Sequence, residues 1–376
     1  MNALAWVLEV LAAAGLAQGW AGAAQVARFA AAPAAMIPDP APITILKPLC
    51  GNEPLLGTAL ESFFLLNYPS YQLVFGVQDP ADPVLPVLAD LQARYPAVDA
   101  HLVLDPTPHG RNRKIANLIN MLPSAKHDIL VISDADIHAP ADFLRAIAAS
   151  LAAPNVGLVT TLYTGLPAHP GLPARFGADA INHIFAPGAL LARAMGRQDC
   201  LGATMALRRT TLAQIGGLAM LSDHLADDNV LGRLVREAGF TVALAPCVPA
   251  TSVPEADWPS LVRHELRWAR TIRALAPLPY AASVLQYPLA WAVLALICAG
   301  GAPAPWLILG LACLLRYRQI QRIDRALGVP PMSQAWTLLL RDLLSFGIFI
   351  TSYTSNEVSW RANLLHADSG RPNSAL

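Results

Sequence analysis

Two carboxylates separated by one residue, Asp134-Ala135-Asp136, are the strongest sign of chemistry in this chain. They follow the apolar segment 128–133, which has the length and composition of a buried strand. Two like charges at a strand end repel each other unless a cation compensates them. Mg²⁺ and Mn²⁺ prefer such oxygen ligands and can also bridge a diphosphate. The motif predicts a divalent-metal site, and a solvated turn that caps the helix near Ala141 explains it equally well.

A second acidic pair follows the apolar segment 71–77 in the sequence FGVQDPADP. Asp79 ends the apolar run, and Asp82 lies in the proline-bounded turn after it. Either carboxylate can accept a hydrogen bond from a nucleoside. Acidic residues in such turns more often bond to the backbone of the turn itself, so both interpretations stay open.

Lysine is rare in this chain, with three lysines against 23 arginines. Lys47 ends the first predicted strand, and Lys114 lies in the segment NRKIANL at the start of a predicted helix. Both positions suit a cation that balances the charge of a diphosphate. A solvated or helix-stabilising lysine is the alternative for each.

Asp227 and Asp228 begin the predicted helix DDNVLGRLVREAG. Negative charge at a helix N-terminus is stabilising by roughly 0.3–1 kcal/mol, so capping explains the pair. A positioned carboxylate can instead remove a proton from an attacking hydroxyl, which contributes about 10²–10⁴ in rate. Asp228 is the predicted general base.

His264, Arg267 and Trp268 lie in the segment WPSLVRHELRWARTIRAL, which has a helical pattern. Spacings of three and four residues place these three side chains on one face of the helix. An amphipathic helix at a membrane surface explains the segment equally well.

Alternating apolar runs of strand length and helical patterns surround these residues between positions 43 and 250. This alternation predicts an α/β domain with a largely parallel sheet, in which ligands bind beyond the carboxyl ends of the strands. The predicted strands are 43–47, 71–77, 100–104, 128–133, 156–163, 204–208 and 241–245, and the predicted helices are 53–66, 84–94, 112–122 and 141–151.

The composition indicates a membrane protein. Of 376 residues, 55% are hydrophobic and 14% are charged, against roughly 25% charged in soluble proteins. The 26 basic residues balance the 26 acidic ones, which argues against nucleic acid as a partner. The five scattered cysteines have no metal-ligand spacing.

The N-terminal segment 1–30 is long and apolar enough for one membrane helix, and its first basic residue, Arg28, comes at its end. A cleaved signal peptide would carry basic residues before the apolar run, so an anchor is the preferred interpretation. The Pro-rich segment 31–42 predicts a linker, and 43–255 is the predicted cytoplasmic catalytic domain.

Further membrane segments are predicted after this domain: an interfacial helix at 256–279, a transmembrane hairpin at 280–318 and a membrane or re-entrant segment at 333–353. The arginines directly after the hairpin predict a cytoplasmic loop. Arg341 and Asp342 cost roughly 2.5–3.5 kcal/mol each at a bilayer centre, so we expect the last segment to face protein or the interface.

Seven motifs in this order resemble the ceramide glucosyltransferase family. The similarity covers residues 43 to about 280, is weaker in the tail, and is greatest to the bacterial hopanoid-associated glycosyltransferases. The motifs are ILKPLCGNEPLL, LNYPSYQLVFGVQDPADP, NRKIANL, SDADI, GATMALRRTTLAQIGGL, LADDNVLGRLVREAGF and RHELRWAR.

The resemblance implies a GT-A fold, Mg²⁺ or Mn²⁺, and an inverting transfer from a UDP-sugar to a lipid hydroxyl. Asp79 and Asp134 match the first two aspartates of the family, and Asp136 completes a D-x-D motif of the kind that holds the metal. Asp228 matches the presumed base.

The closing motif of the family matches Arg267 and Trp268, whereas His264 departs from the Gln or Arg at its first position. The resemblance implies that Arg267, with Lys114, stabilises charge on the diphosphate, and that Trp268 walls the acceptor site. A histidine can still donate to a phosphate, but its charge changes near pH 6.5.

The expected reaction moves N-acetylglucosamine or glucose onto a membrane lipid at the inner membrane. We expect the acceptor to be a hopanoid polyol such as bacteriohopanetetrol, with ceramide as the alternative. A processive polysaccharide synthase would need more membrane helices to form a channel. A non-catalytic scaffold would not need the acidic motifs.

Overall fold

The computed structural model describes residues 2–33, 37, 39–300, 302–331, 334–355, 357–360 and 363–366. The chain forms two compact units. The sheet unit comprises Ala32–Ala168 and Arg197–Pro254, and the helical unit comprises Met1–Ala31, His169–Gly196 and Glu255–Leu376. Within the predicted catalytic range 43–255, the segment His169–Gly196 therefore belongs to the helical unit.

The strands agree closely with the predicted ones, and three have identical bounds. They are β1 (Ile43–Leu49), β2 (Tyr71–Val77), β3 (Asp99–Leu104), β4 (Ile129–Ser133), β5 (Ile137–His138), β6 (Val156–Thr161), β7 (Thr164–Pro167), β8 (Thr204–Arg208), β9 (Thr241–Ala245), β10 (Ala250–Val253), β11 (Glu357–Trp360) and β12 (Asn363–His366).

Seven strands form the main sheet in the order β3-β2-β1-β4-β8-β6-β9. β8 runs antiparallel to β4 and β6, and the other pairings are parallel. A small sheet in the order β5-β10-β7 lies in the same unit. The predicted α/β class with a largely parallel sheet is confirmed.

The helices include all five that were predicted for the α/β domain, with α9 as the one predicted to begin at Asp227. They are α1 (Ala3–Ala30), α2 (Leu56–Phe64), α3 (Leu85–Arg94), α4 (Arg113–Met121), α5 (Phe143–Leu151), α6 (Leu172–Ala180), α7 (Ala186–Ala194), α8 (Arg209–Gln214), α9 (Asp227–Glu237), α10 (Trp258–Leu275), α11 (Pro277–Ala282), α12 (Pro288–Cys298), α13 (Pro303–Leu327) and α14 (Ala335–Ser352).

The main sheet is buried on both faces. Successive side chains of a strand point to opposite faces, so Ile45 and Leu46 of β1 belong to different apolar clusters. Ile45 packs in the cluster that contains Phe63 of α2 and Phe143 of α5, and both rings are fully buried. This packing leaves the carboxyl ends of the central strands as the place for polar side chains.

In the helical unit, α1 is long and apolar enough to cross a membrane. The segments Pro277–Gln286 and Pro288–Cys298 pass the same test only as a pair, and they are bent by 66°. No other helix in the described residues meets this test. The membrane placement of the segments after residue 255 stays a prediction.

The region of the predicted hairpin consists of two unequal helices. α12 has 11 residues, about 17 Å, against a hydrocarbon core of about 30 Å. α13 has 25 residues and is capped at its C-terminus by Gly328, which has a φ of 67°. The arginines expected in a loop after the hairpin lie within this helix instead, and their cytoplasmic side stays a prediction. Leu, Arg, Gln and Ala are good helix formers, and nothing breaks the helix before Gly328.

A π-helical turn, Ile181–Phe185, joins α6 to α7. It places the buried ring of His183 between two aspartates, with Nε2 2.6 Å from Asp324 Oδ1 and Nδ1 3.5 Å from Asp179 Oδ1. After this turn, Pro187 of α7 packs closely on Gly22 of α1, where a Cβ atom would lie 2.9 Å from the proline Cβ.

Ion pairs account for the charged residues buried in α14. Arg341 donates two hydrogen bonds to the carboxylate of Glu265, at 2.7 and 2.6 Å. Arg316 of α13 lies 3.4 Å from Asp342. Arg341 and Asp342 are 4% and 1% exposed, so both side chains face protein.

Candidate active site

The Asp134–Asp136 turn directly follows β4 at the carboxyl edge of the main sheet. Asp134 Oδ1 lies 2.6 Å from the ammonium of Lys114, in the first turn of α4. Asn112 sets the start of this helix, because its side chain accepts a hydrogen bond from the Ile115 backbone N–H at 3.2 Å. The sheet and a capped helix thus bring the predicted Asp134 and Lys114 together.

Lys114 also lies 3.6 Å from Asp227 Oδ2, so one ammonium contacts carboxylates from two parts of the chain. Burial opposes its charge, but the nearby Asp134 and Asp227 carboxylates outweigh burial and raise the pKa of Lys114 above its usual range. Lys114 therefore remains a cation.

Asp136 is held by the small sheet. Its Oδ2 accepts a hydrogen bond from Thr251 Oγ1 at 2.5 Å, and its backbone carbonyl accepts one from Ser252 N–H at 3.1 Å. Burial and the charge of Asp134 raise the pKa of Asp136 to about 6, although the Thr251 hydrogen bond opposes this shift. Burial and a like charge together make the ionised form of Asp136 costly.

Asp228 is half-buried at the start of α9, where its Oδ1 accepts a hydrogen bond from the Asn229 N–H at 2.7 Å. Its other oxygen packs on Gly202, where a Cβ atom would lie only 2.8 Å away. Burial and the charge of Asp227 raise the pKa of Asp228 to about 7. A carboxylate with this pKa suits proton transfer near neutral pH.

Lys47 is fully buried. Its ammonium donates to the Asp134 carbonyl at 2.7 Å and lies 3.6 Å from the centroid of the Phe63 ring. Burial lowers the pKa of Lys47 to about 7, although the charges of Asp136 and Asp134 oppose this. In this structure the side chain supports the backbone of the acidic turn.

The two acids after β2 differ in their surroundings. Asp82 is buried, and its carboxylate accepts hydrogen bonds from the Gly51 and Val84 N–H groups, each at 2.9 Å. Asp79 is exposed, and its Oδ1 accepts a hydrogen bond from Ala81 N–H at 2.9 Å.

Asp79 also lines a cleft of about 460 Å³ beyond the ends of β2 and β3. The other lining residues are Gln78, Pro80, Pro106, Pro108, Gly110, Arg113 and Ala116. Of the two acids, Asp79 is the one with access to a ligand.

His264, Arg267 and Trp268 lie on α10 in the helical unit. His264 Nδ1 contacts the buried carboxylate of Glu255. The His264 ring meets Trp268 edge-to-face, with centroids 4.9 Å apart. The shared face that the spacing predicted is present, and the functional roles of these three residues stay predictions.

Sequence reasoning missed Asn112, Thr251 and the contact of Asp227 with Lys114. Asn112 was detectable, because an asparagine just before a helix is a strong capping signal. Thr251 is 115 residues from Asp136, and no local pattern indicates that contact.

The described residues contain no group of three or more His, Cys, Asp or Glu side chains close enough to hold a metal ion. Asp134 and Asp136 nevertheless fit a site completed by substrate. Mg²⁺ is commonly bound through one or two carboxylates together with substrate phosphates. The raised pKa of Asp136 supports this fit, because a cation would compensate its charge.

Comparison with known proteins gives a family match for most of the chain. Glycosyl transferase family 21 matches residues 7–372. Ceramide glucosyltransferase 3 of Caenorhabditis elegans is 25% identical over 340 residues, covering 86% of this chain and 72% of that protein. Ceramide glucosyltransferase of Candida albicans is 36% identical over 121 residues, covering 29% of this chain and 22% of that protein.

Among solved structures, the mannosyltransferase PcManGT from Pyrobaculum calidifontis, in complex with GDP-Man and Mn²⁺, aligns with a TM-score of 0.53 and 21% identity. The alignment covers 93% of this chain and 97% of that one. The likeness supports the predicted GT-A fold.

Proposed function

The chain belongs to glycosyl transferase family 21 and is a sugar-transferring enzyme, and from that premise we propose that it glycosylates a membrane lipid. The donor is a UDP-sugar that carries N-acetylglucosamine or glucose, and the transfer inverts the anomeric carbon. The acceptor is the hydroxyl of a hopanoid polyol such as bacteriohopanetetrol. Ceramide is the alternative, which the names of the relatives favour.

The observation that carries this proposal is the excess of carboxylate at one edge of the sheet. Asp134, Asp227 and Asp228 influence the same half-buried Lys114, and Asp136 is repelled by Asp134. Such an excess destabilises the folded protein unless a ligand uses it. The divalent cation that accompanies a bound diphosphate would supply the missing positive charge next to the reacting bond.

In the proposed mechanism, the oxygen of the acceptor hydroxyl attacks the anomeric carbon from the side opposite the departing UDP. Asp228 accepts the proton of that hydroxyl during the attack. The raised pKa of Asp228 makes it a stronger base than an ordinary carboxylate. The tight packing on Gly202 fixes the direction of the carboxylate.

Lys114 stabilises the negative charge that grows on the diphosphate, because its neighbours keep it protonated. Asp136 is the proposed ligand of Mg²⁺ or Mn²⁺, and Asp134 contacts the donor. When bound, the cation supplies Lewis-acid stabilisation of the leaving diphosphate. Thr251 leaves one oxygen of Asp136 to face the ligand, since it donates to the other.

Asp79 is proposed to bind the nucleoside in the cleft beyond β2 and β3, where Arg113 provides a nearby positive charge. Lys47 acts on the donor through the Asp134 backbone that it holds. His264, Arg267 and Trp268 are proposed from the family resemblance to serve the diphosphate and the acceptor.

The enzyme is proposed to be a multi-pass protein of the inner membrane with the sheet unit in the cytoplasm. A lipid acceptor remains in the bilayer, so the enzyme must be held at its surface. The apolar helix α1 carries Arg28 in its last turn, and this supports a cytoplasmic position for the chain that follows.

The test is to incubate membranes containing the enzyme with radiolabelled UDP-glucose or UDP-N-acetylglucosamine, with and without hopanoid polyol or ceramide. Label in an organic-extractable lipid that requires one added acceptor supports the proposal and identifies both substrates. Label in an insoluble polymer, or no acceptor-dependent label, would refute it.

A further inference from the structure

The outward face of α13 changes character along its length. In the first half of this helix, four large apolar side chains are between 52% and 77% exposed: Trp306, Leu307, Leu311 and Leu314. A contiguous apolar surface of this kind on a helix suits contact with lipid hydrocarbon.

In the second half of α13, the same face carries Arg318, Arg322 and Arg325, and all three are exposed. We call these three residues the arginine stripe. Spacings of three and four residues continue the line of Leu311 and Leu314 directly into the stripe. The apolar and basic parts therefore form one continuous surface along the helix.

The acidic side chains near the arginine stripe pair with residues outside it. Asp324, the only acid within α13, is buried and pairs with His183. Arg316, the first arginine of the cluster, is buried and pairs with Asp342. No arginine of the stripe pairs with a carboxylate within the described part of the chain, so the stripe presents net positive charge.

We propose that the arginine stripe binds the phosphate groups of anionic phospholipids at the bilayer surface. The guanidinium group matches phosphate geometry with paired N–H donors. The stripe extends about 10 Å along the helix, and arginine side chains are long enough to bring their charges into one headgroup layer. The adjoining apolar half of α13 then contacts the acyl chains of the same leaflet.

This proposal rests on the membrane placement in the proposed function, and it does not depend on sugar transfer. Its test uses the full chain reconstituted in vesicles of phosphatidylcholine with 20 mol% phosphatidylglycerol. The protein is extracted in mild detergent, and the retained lipids are counted by native mass spectrometry.

We expect the wild-type protein to retain phosphatidylglycerol well above its share in the vesicles. Arg318→Gln/Arg322→Gln/Arg325→Gln should lower that enrichment by up to about fivefold for each arginine removed. High salt during extraction should lower the wild-type enrichment in the same direction, because it screens exposed charges.

The matched control is Arg94→Gln/Lys126→Gln/Arg145→Gln, which removes the same net charge from the sheet unit. We expect this variant to retain phosphatidylglycerol as the wild type does. Equal retention by the stripe variant and the wild type would overturn the proposal, as would an equal loss in the control variant. If the wild type retains phosphatidylglycerol but glycosylates no lipid, the proposed function is contradicted and the proposed role of the arginine stripe is still supported.

Discussion

The two units differ in how their charged side chains are paired. In the helical unit, Arg341 pairs with Glu265 and Arg316 pairs with Asp342, so each of these buried arginines has its own carboxylate partner. In the sheet unit, the charges of Asp134, Asp227 and Asp228 act on the ammonium of Lys114, and Asp136 adds a further carboxylate beside Asp134, so the carboxylates remain in excess.

This difference distinguishes charges that stabilise the fold from charges that are expected to bind a ligand. Removing one partner of a matched buried ion pair destabilises the fold, because the other charge is left buried without compensation. An unmatched cluster costs stability and is expected where binding or catalysis requires it. Glu9 of α1 departs from the pattern of its unit, because its buried carboxyl oxygens have no hydrogen-bond partner in the described residues.

The largest effect that tests this difference between the units is expected from Asp228→Asn. We expect kcat to fall by about 10²–10⁴, because the amide cannot accept the acceptor proton. We expect the thermal unfolding temperature to stay the same or rise, since the change removes repulsion with Asp227. Asp90→Asn, at an exposed site, is the control for both measurements. A variant that loses activity only because it unfolds would contradict the contrast between the units.

Arg341→Met should show the reverse behaviour. It leaves Glu265 without its cation and should lower the free energy of unfolding by about 3–5 kcal/mol, measured by denaturant titration in detergent micelles. The double variant Arg341→Met/Glu265→Gln should recover much of that loss. Turnover per folded molecule should stay close to wild type, and a large fall in kcat without loss of stability would assign Arg341 to the reaction instead.

Thr251 lies outside the acidic cluster and tests how the cluster is positioned. Thr251→Val removes the donor to Asp136 Oδ2 at nearly constant volume, and we expect Mn²⁺ affinity in the presence of UDP to fall about 10–100-fold. Electron paramagnetic resonance of free Mn²⁺ measures this without turnover. Thr251→Ser keeps the hydroxyl and should bind Mn²⁺ nearly as the wild type does. Equal affinities in all three proteins would remove Thr251 from this role.

The smallest expected effect is a shift of the pH profile. The base must be ionised, so kcat/KM should rise about tenfold per pH unit below the pKa of Asp228, about 7, and level off above it. Burial is the first cause of this raised pKa and the charge of Asp227 is the second, so Asp227→Asn removes part of the shift and the midpoint should move to lower pH. An unchanged midpoint would mean that another group controls the profile.

The sequence predicted the sheet well, because its strands are short apolar runs bounded by turn residues. The runs 71–77, 204–208 and 241–245 match the observed strands at both ends. The acidic turn after β4 was predicted for the same reason, since the end of a buried strand at the carboxyl edge of a parallel sheet is a defined place.

The sequence could not predict which charged side chains are buried. Lys47 and Lys114 were both expected beside the diphosphate, and Asp79 and Asp82 lie in the same turn, yet Lys47 and Asp82 are enclosed and bonded to backbone groups. The arginines after the predicted hairpin posed the same problem. Arg316 is buried and pairs with Asp342, whereas the other arginines of this cluster are exposed. Local sequence could not indicate this difference, because Asp342 lies far from Arg316 along the chain.

The π-helical turn Ile181–Phe185 determines which contacts depend on the length of this part of the chain. Such a turn accommodates one extra residue in an otherwise regular helix. Deleting one residue there would restore regular winding and leave the direction of α7 nearly unchanged, because the turn already absorbs the extra residue. Pro187 lies beyond the turn and should keep its contact with Gly22, whereas His183 lies within the turn and could not keep both aspartates. Homologous chains that lack this residue should therefore differ at His183 and its partners and keep the close packing at Gly22.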